Sequence, residues 1–192
     1  LAHKYLKSND LYGKQCSENP PITFKMPKLQ GKNIEEHFYR LGTASCSRYL
    51  ALVEKFLRLG NDPPGMPKGR WQFRSGWTRY CAGKEPETVP YPLEDELVFD
   101  VEVMYKKSHY PILATCMSPT AWYGWCSPYL TCDSGQIDGH LIPLGVDKHD
   151  KIVVGHNDSY DRARVKEEYS LKATRAFYID PMSHHVAVSG MC

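Results

Sequence analysis

Apolar and polar positions alternate most regularly at 96–105, ELVFDVEVMY. Leu97, Phe99, Val101 and Val103 occupy every second position, and successive side chains of a strand point to opposite faces. The pattern predicts a strand that buries those four and turns Val98, Asp100, Glu102 and Met104 the other way. Shorter apolar runs predict strands at 111–117, 121–126, 151–154 and 175–179. Tyr49, Leu52, Val53, Phe56 and Leu57 recur at helical spacing and predict a helix over 45–59. Another helix is predicted at 33–41, with Asn33 as cap, Glu36 three residues on and Gly42 as its stop. The charged stretch 159–169 predicts a helix, as does 181–189, where Pro181 takes an early helical position. Residues 1–32, with Leu6, Leu11, Phe24 and Met26 as scattered anchors, predict loops and short turns, and 127–150 predicts loop.

With the short 151–154 strand set aside, the order is β-β-β-α-β-α. Hairpin-linked strands followed by alternating helix and strand predict an α/β fold, an α+β-like mixed sheet with helices packed on it. Residues 60–69, GNDPPGMPKG, hold three prolines and three glycines and break any helix. They divide the chain into a small, mostly helical N-terminal region, 1–69, and a second domain, 70–192.

Composition narrows the class only slightly. Of 192 residues, 42% are hydrophobic and 24% charged, which is ordinary for a globular protein. The net charge of +2 and pI of 8.1 are too mild to mark a nucleic-acid binder, for which a domain pI above about 9 is the guide. No apolar run approaches the roughly 18 residues of a membrane span. The chain opens on Leu1 with no leader-like segment behind it, and Met191-Cys192 follow an apolar run; both ends read as cuts in a longer frame, without a targeting peptide. Seven cysteines without a C-x-x-C pair predict reduced thiols in a reducing compartment. A zinc site at Cys126, Cys132 and His140 is the alternative.

Three stretches carry candidate chemistry. Asp100 and Glu102 share one face of an apolar strand. Two carboxylates so placed repel each other and are costly to bury unpaired, and a divalent cation such as Mg²⁺, which prefers oxygen ligands, relieves both problems. A solvated edge-strand face is the bland alternative. Next, Gly155-His156-Asn157-Asp158-Ser159-Tyr160-Asp161 joins a short strand to a helix, where ligands of α/β sheets gather. Asn157 or Asp158 caps that helix, and Asp161 falls in its first turn, facing the sheet end. The alternative is a capped helix whose acidic first turn satisfies the dipole. Third, Arg70, Trp71, Phe73, Arg74, Trp77, Arg79 and Tyr80 interleave aromatics with arginine. Such a cluster stacks bases and holds phosphates, or else buries its rings beneath snorkelling arginines. Arg162, Arg164, Lys166 and Arg175 likewise read as a phosphate track or a solvated face.

D-x-E on one strand, with N-x-x-Y-D at a strand–helix junction about 60 residues on, resembles the first two motifs of the DEDD exonuclease superfamily. The resemblance implies an RNase H-like fold, here incomplete at its C-terminal end. ELVFDVEV, SPTAWYGWCS, IVVGHNDSYDRARVKEEY and IDPMSHHVAVSGM, with GWTRY and KLQGKNIEEHF before them, are similar to the family A catalytic subunits called mitochondrial DNA polymerase gamma. That likeness covers nearly the whole chain. It implies 3′→5′ proofreading, the removal of mispaired nucleotides from DNA 3′ ends by hydrolysis with two Mg²⁺ ions, or Mn²⁺ in their place. By motif, Asp100 would bridge both metals, Glu102 would help hold the water-activating one, and Asp161 would anchor the second. Asn157, His156 and Tyr160 become candidate substrate contacts, with a structural role as the alternative for His156. The implied partners are the single-stranded primer 3′ end and a polymerase accessory (processivity) subunit, the latter through regions mostly outside this chain. The implied location is the nucleoid of the mitochondrial matrix. The superfamily's third motif, Tyr-x-x-x-Asp or a His variant, has no match after Asp161: Asp180 comes too early, and His184 and His185 lack a following Asp. The 192 residues alone are therefore expected to show little or no nuclease activity. An inactive exonuclease-fold module that routes DNA or docks partners is the rival reading, and a stand-alone RNA nuclease is a third. The intact acids oppose the first, and the likeness of the N-terminal region opposes the second.

Overall fold

The computed structural model describes residues 2–14, 25, 27–60, 62–131, 137, 139–170 and 174–190. Phe24, Met26 and Cys132, and with Cys132 the alternative zinc trio, lie outside the described residues. Two compact units are present, 1–43 and 44–192.

In the first unit, helix α1 (Ala2–Ser8) stands where loops and turns were expected. The Leu6 carbonyl accepts from the Leu11 and Tyr12 amides at 2.8 and 3.1 Å, which satisfies the helix end locally. Helix α2 (Ile34–Cys46) opens as its sequence predicts. Asn33 Oδ1 accepts from the Glu36 amide at 2.8 Å, while Glu36 Oε2 reaches back to the Lys32 amide at 2.7 Å. It runs through Gly42, which costs a helix only about 1 kcal/mol and does not compel it to stop.

In the second unit, helix α3 (Leu50–Leu59) begins five residues later than the predicted 45. Tyr49 lies outside the helix because its buried ring stacks on Phe177 at 5.0 Å. An ion pair between Lys55 and the wholly buried Glu96, at 2.7 Å, ties α3 to the sheet.

The sheet is built from β1 (Gly76–Tyr80), β2 (Glu87–Val89), β3 (Glu96–Val103), β4 (Pro111–Met117), β5 (Trp122–Cys126), β6 (Lys151–Val154) and β7 (Ala176–Ile179). Its order is β2-β1-β5-β4-β3-β6-β7. The first five of these are antiparallel neighbours, whereas β3, β6 and β7 run parallel, so the sheet is mixed. Strand β3 ends two residues before the predicted 105. Strands β1 and β2 were not predicted at all: Trp77 and the adjacent Thr78 are both buried, so β1 shows no period-2 alternation. The predicted helix at 159–169 splits into α5 (Ser159–Arg162) and a 3₁₀ turn (Lys166–Tyr169). Val165, wholly buried, bridges to Ile142 and breaks the run, with the Ile142 amide donating to Arg164 O and the Lys166 amide to Ile142 O. A one-turn helix α4 (Pro128–Thr131) follows β5, and α6 (Pro181–Ser189) follows β7.

Leu97, Phe99, Val101, Ala114, Tyr123, Trp125, Leu144 and Val153 belong to the core, which lies against one side of the sheet. Two polar devices, one buried and one half-buried, accompany it. Lys151 donates to the carbonyls of Pro92 and Glu94 at 2.6 and 2.8 Å, which satisfies an ammonium that burial would otherwise exclude. Glu94 gathers Arg79 at 2.6 Å, Thr120 at 2.7 Å and the Tyr123 hydroxyl. Among the described residues no helix is long and apolar enough to cross a membrane, and Cys46, Cys81, Cys116 and Cys126 are free thiols.

Candidate active site

The alternation of β3 puts Leu97, Phe99 and Val101 in the core and leaves Asp100 and Glu102 exposed on the opposite face. Strand β4 covers one edge, with Asp100 opposite Thr115 and Glu102 opposite Leu113. On the other edge, pairing with β6 ends at Val98 opposite Val154, while β3 continues to Val103. The backbone of β3 beyond Val98 must therefore find other partners on that side.

The turn after β6 supplies one. A Cβ on Gly155 would stand 3.2 Å from Phe99 O and 3.3 Å from Asp158 Cβ, so glycine lets the turn lie against β3. Asn157 takes a left-handed conformation, φ 57°, which asparagine tolerates better than most residues, and its amide donates to Asp180 Oδ1 at 3.0 Å. Helix α5 then starts with Asp161 turned inward. Asp161 is only 5% exposed, and its Oδ1 accepts from the Val101 amide at 3.1 Å. Val101 lies between Asp100 and Glu102. The third carboxylate thus closes the open edge of β3 at the residue flanked by the other two.

Burial first, and then the charge of Asp100, push the Asp161 carboxyl up to about 6; the Val101 amide and the charge of Arg164 oppose them. Asp158 is also raised, by burial and then by the charge of Asp180. Arg164 directs its hydrogen bonds elsewhere. It donates to His109 O at 3.3 Å and Tyr160 O at 2.6 Å, and its guanidinium lies 3.7 Å from the centre of the Tyr160 ring. Among the described residues, no ion pair engages Asp100, Glu102 or Asp161.

This excess of negative charge bears on whether a cation fits. Among the described residues, no three His, Cys, Asp or Glu side chains are already grouped to hold a metal ion. The donors themselves suit a hard divalent cation: all are carboxylate oxygens, and the burial and Asp100 charge that push Asp161 up to about 6 are effects such an ion would offset. Two of the three are exposed and can turn toward the third.

The other predicted residues sit on the surface of the β6–α5 turn. Asn157 and His156 are exposed, and Tyr160 is 42% exposed under the Arg164 guanidinium. Among the described residues no hydrogen bond joins these three side chains to the acids. Asp180 has a role that sequence reasoning missed. It caps α6 by accepting from the Met182 amide at 2.9 Å and the Ser183 hydroxyl at 2.7 Å, and it holds the Asn157 amide as well. Asp-Pro ahead of a helical run was the available signal. Beside the acids opens a cleft of about 310 Å³, lined by Asp100, Glu102, Thr115, Trp71, Phe73 and Trp125, among others.

The family model described as the DNA mitochondrial polymerase exonuclease domain matches residues 20–192. A DNA polymerase gamma of Komagataella pastoris is 53% identical over 192 residues, covering 100% of this chain and 19% of the relative. That of Saccharomyces cerevisiae is 41% identical over 193 residues, covering 100% of the chain and 15% of the relative. DNA polymerase subunit gamma-1 of Xenopus laevis is 38% identical over 202 residues, covering 97% of the chain and 17% of the relative. The chain thus spans about a fifth, or less, of the length of these relatives. With its mixed sheet flanked by helices and a family match over most of its length, this chain belongs to the DNA mitochondrial polymerase exonuclease domain family.

Proposed function

We propose that this chain forms part of the 3′→5′ proofreading exonuclease of a mitochondrial replicative DNA polymerase, acting on the single-stranded 3′ end of a primer. The observation that carries the reading is the buried Asp161 carboxylate on the Val101 amide, between Asp100 and Glu102. Three carboxylates that no ion pair engages among the described residues, two of them presented to solvent, suit a phosphodiester and its cations better than a structural cluster. Asp100 and Glu102 would hold the cation that activates water, and Asp100 and Asp161 the one at the leaving group. Mg²⁺ or Mn²⁺ bound there would lower the pKa of the attacking water and offset charge on the departing 3′ oxygen.

The chain's own residues do the positioning. Leu97, Phe99 and Val101, locked in the core, hold the β3 backbone so that the two outward acids keep their spacing. Asp161 carries a proton in mild acid and must lose it before it can serve as a ligand, so trimming is expected to fall below pH 6. The β6–α5 turn, held by Asp180, keeps α5 against β3. In this reading the parent polypeptide works in mitochondria, as the names of two relatives state of those proteins, and its accessory subunit binds outside these residues.

Because the relatives are several times longer, the test belongs in the full-length parent. Asp100→Ala combined with Glu102→Ala should abolish trimming of a mismatched primer and leave extension of a matched primer unchanged. Persistent trimming would overturn the assignment of the site.

A further inference from the structure

The arginine–aromatic stretch at 70–80 divides in the structure. Trp77 and Tyr80 are core residues, 1% and 5% exposed, and Arg79 is spent on Glu94 and Tyr123. Trp71 and Phe73 are different: they are 37% and 71% exposed and line the cleft that also contains Asp100 and Glu102.

Their position is built rather than incidental. Facing residues of adjacent strands set Gly124 of β5 opposite Thr115 of β4, and Thr115 opposite Asp100 of β3. Adjacent strands lie about 4.8 Å apart, so this row places Gly124 roughly 10 Å from Asp100 on one face of the sheet. The Trp71 ring rests on Gly124: a Cβ there would come within 3.1 Å of Trp71 Cε3. Tyr80 meets the same ring edge-on at 4.6 Å, and its hydroxyl accepts from the Gln72 amide at 2.7 Å, pinning the segment between the two aromatics. Small side chains therefore pave the floor between an anchored ring and the acids, and Phe73 stands free at its rim. The distance suits one nucleotide, with its phosphate at Asp100 and its base over the rings.

We infer that Trp71 and Phe73 form a stacking shelf for a base at the 3′ end of single-stranded DNA. The inference rests on the exonuclease reading above and adds to it the residues that grip the base. An aromatic shelf continuous with a phosphodiester site favours a flat π surface of any sequence, as proofreading requires. The other occupant of such an apolar cleft would be a segment of the parent polypeptide, and the test separates the two.

The test uses the full-length parent and a single-stranded oligodeoxynucleotide ending in 2-aminopurine, bound in chelator so that nothing is cut. Stacking should quench the probe's fluorescence. Phe73→Ala removes an exposed ring and should leave the fold intact. It should weaken the quenched complex roughly tenfold or more, with Phe73→Tyr restoring it. Trp71→Leu should act in the same direction. In trimming assays Phe73→Ala should raise KM for an intact 3′ nucleotide, leave kcat nearly unchanged, and have little effect on an end whose last residue is abasic. Equal losses on abasic and intact ends, or unchanged quenching in both variants, would overturn the shelf; the latter is the result expected if a protein segment fills the cleft. Failure of the underlying reading looks different: trimming would survive Asp100→Ala with Glu102→Ala, whatever the probe reports.

Discussion

Asp161→Asn separates what the site needs for function from what it costs the fold. The folded chain raises this carboxyl from its ordinary 3.8 to about 6, through burial and the neighbouring Asp100. A folded pKa above the unfolded one means that the stability is fully present below pH 3.8 and is lost as pH rises through about 6. Each unit corresponds to about 1.4 kcal/mol, so the ionised carboxylate costs up to about 3 kcal/mol at pH 8 and about half that at pH 5. Asparagine has the same shape, never ionises, and keeps an oxygen for the Val101 amide. The variant should therefore resist urea better than the parent at pH 8, by as much as about 3 kcal/mol, with a gap about half as large at pH 5. Equilibrium unfolding in chelator, run at both pH values, measures it. Adding Mg²⁺ at pH 8 should stabilise the unsubstituted protein more than Asp161→Asn, which keeps Asp100 and Glu102 but lacks the third carboxylate, and so narrow the gap. A variant no more stable than its parent at pH 8, or a gap that does not grow between pH 5 and pH 8, would refute the account of Asp161.

Three further predictions concern the stability of the fold. Burial raises Glu94, but hydrogen bonds from Tyr123, Thr120 and Arg79, with the charge of Arg79, outweigh it and hold the carboxyl at about 2. That depressed value stabilises the fold above pH 4.5 and ceases to do so as pH falls through about 2. Glu94→Gln should therefore cost on the order of 2–3 kcal/mol at pH 7 and about half as much at pH 3, read from urea midpoints. Gly145 has φ 68°, and a Cβ there would lie 2.5 Å from the Tyr91 ring; Gly145→Ala should cost about 1–3 kcal/mol in thermal unfolding. Gly42→Ala, in mid-helix with nothing within 4 Å, should move the other way by up to about 1 kcal/mol.

The acidic strand was legible because a half-buried strand writes its geometry into the sequence. Apolar residues at every second position reveal which face is buried, and Asp100 and Glu102 fall on the other. Strand β1 was not legible, because Trp77 and Thr78 are buried side by side and erase the alternation. The helix over 159–169 was overestimated because a charged stretch does not show where it ends, while the pairing of Val165 with Ile142, far away in sequence, breaks it. The start of α3 was misplaced for the same kind of reason: Tyr49 fits the helical repeat but is claimed by Phe177.

Local pattern by itself determined the outward pair of carboxylates, the glycine-led turn with its acidic first helical turn, the opening of α2 and the exact spans of β4, β6 and α6. Each depends on residues a few positions apart, where side-chain period, capping and backbone preference act directly. The tertiary structure decided the rest. Asp161 lies on Val101 because β6 ends at Val154 while β3 continues, leaving an amide that only the following helix can reach. Trp71 lies near Asp100 because three strands in register carry it there. A hydrogen bond across 60 residues and a row across a sheet are matters of strand length and register, which no local pattern encodes.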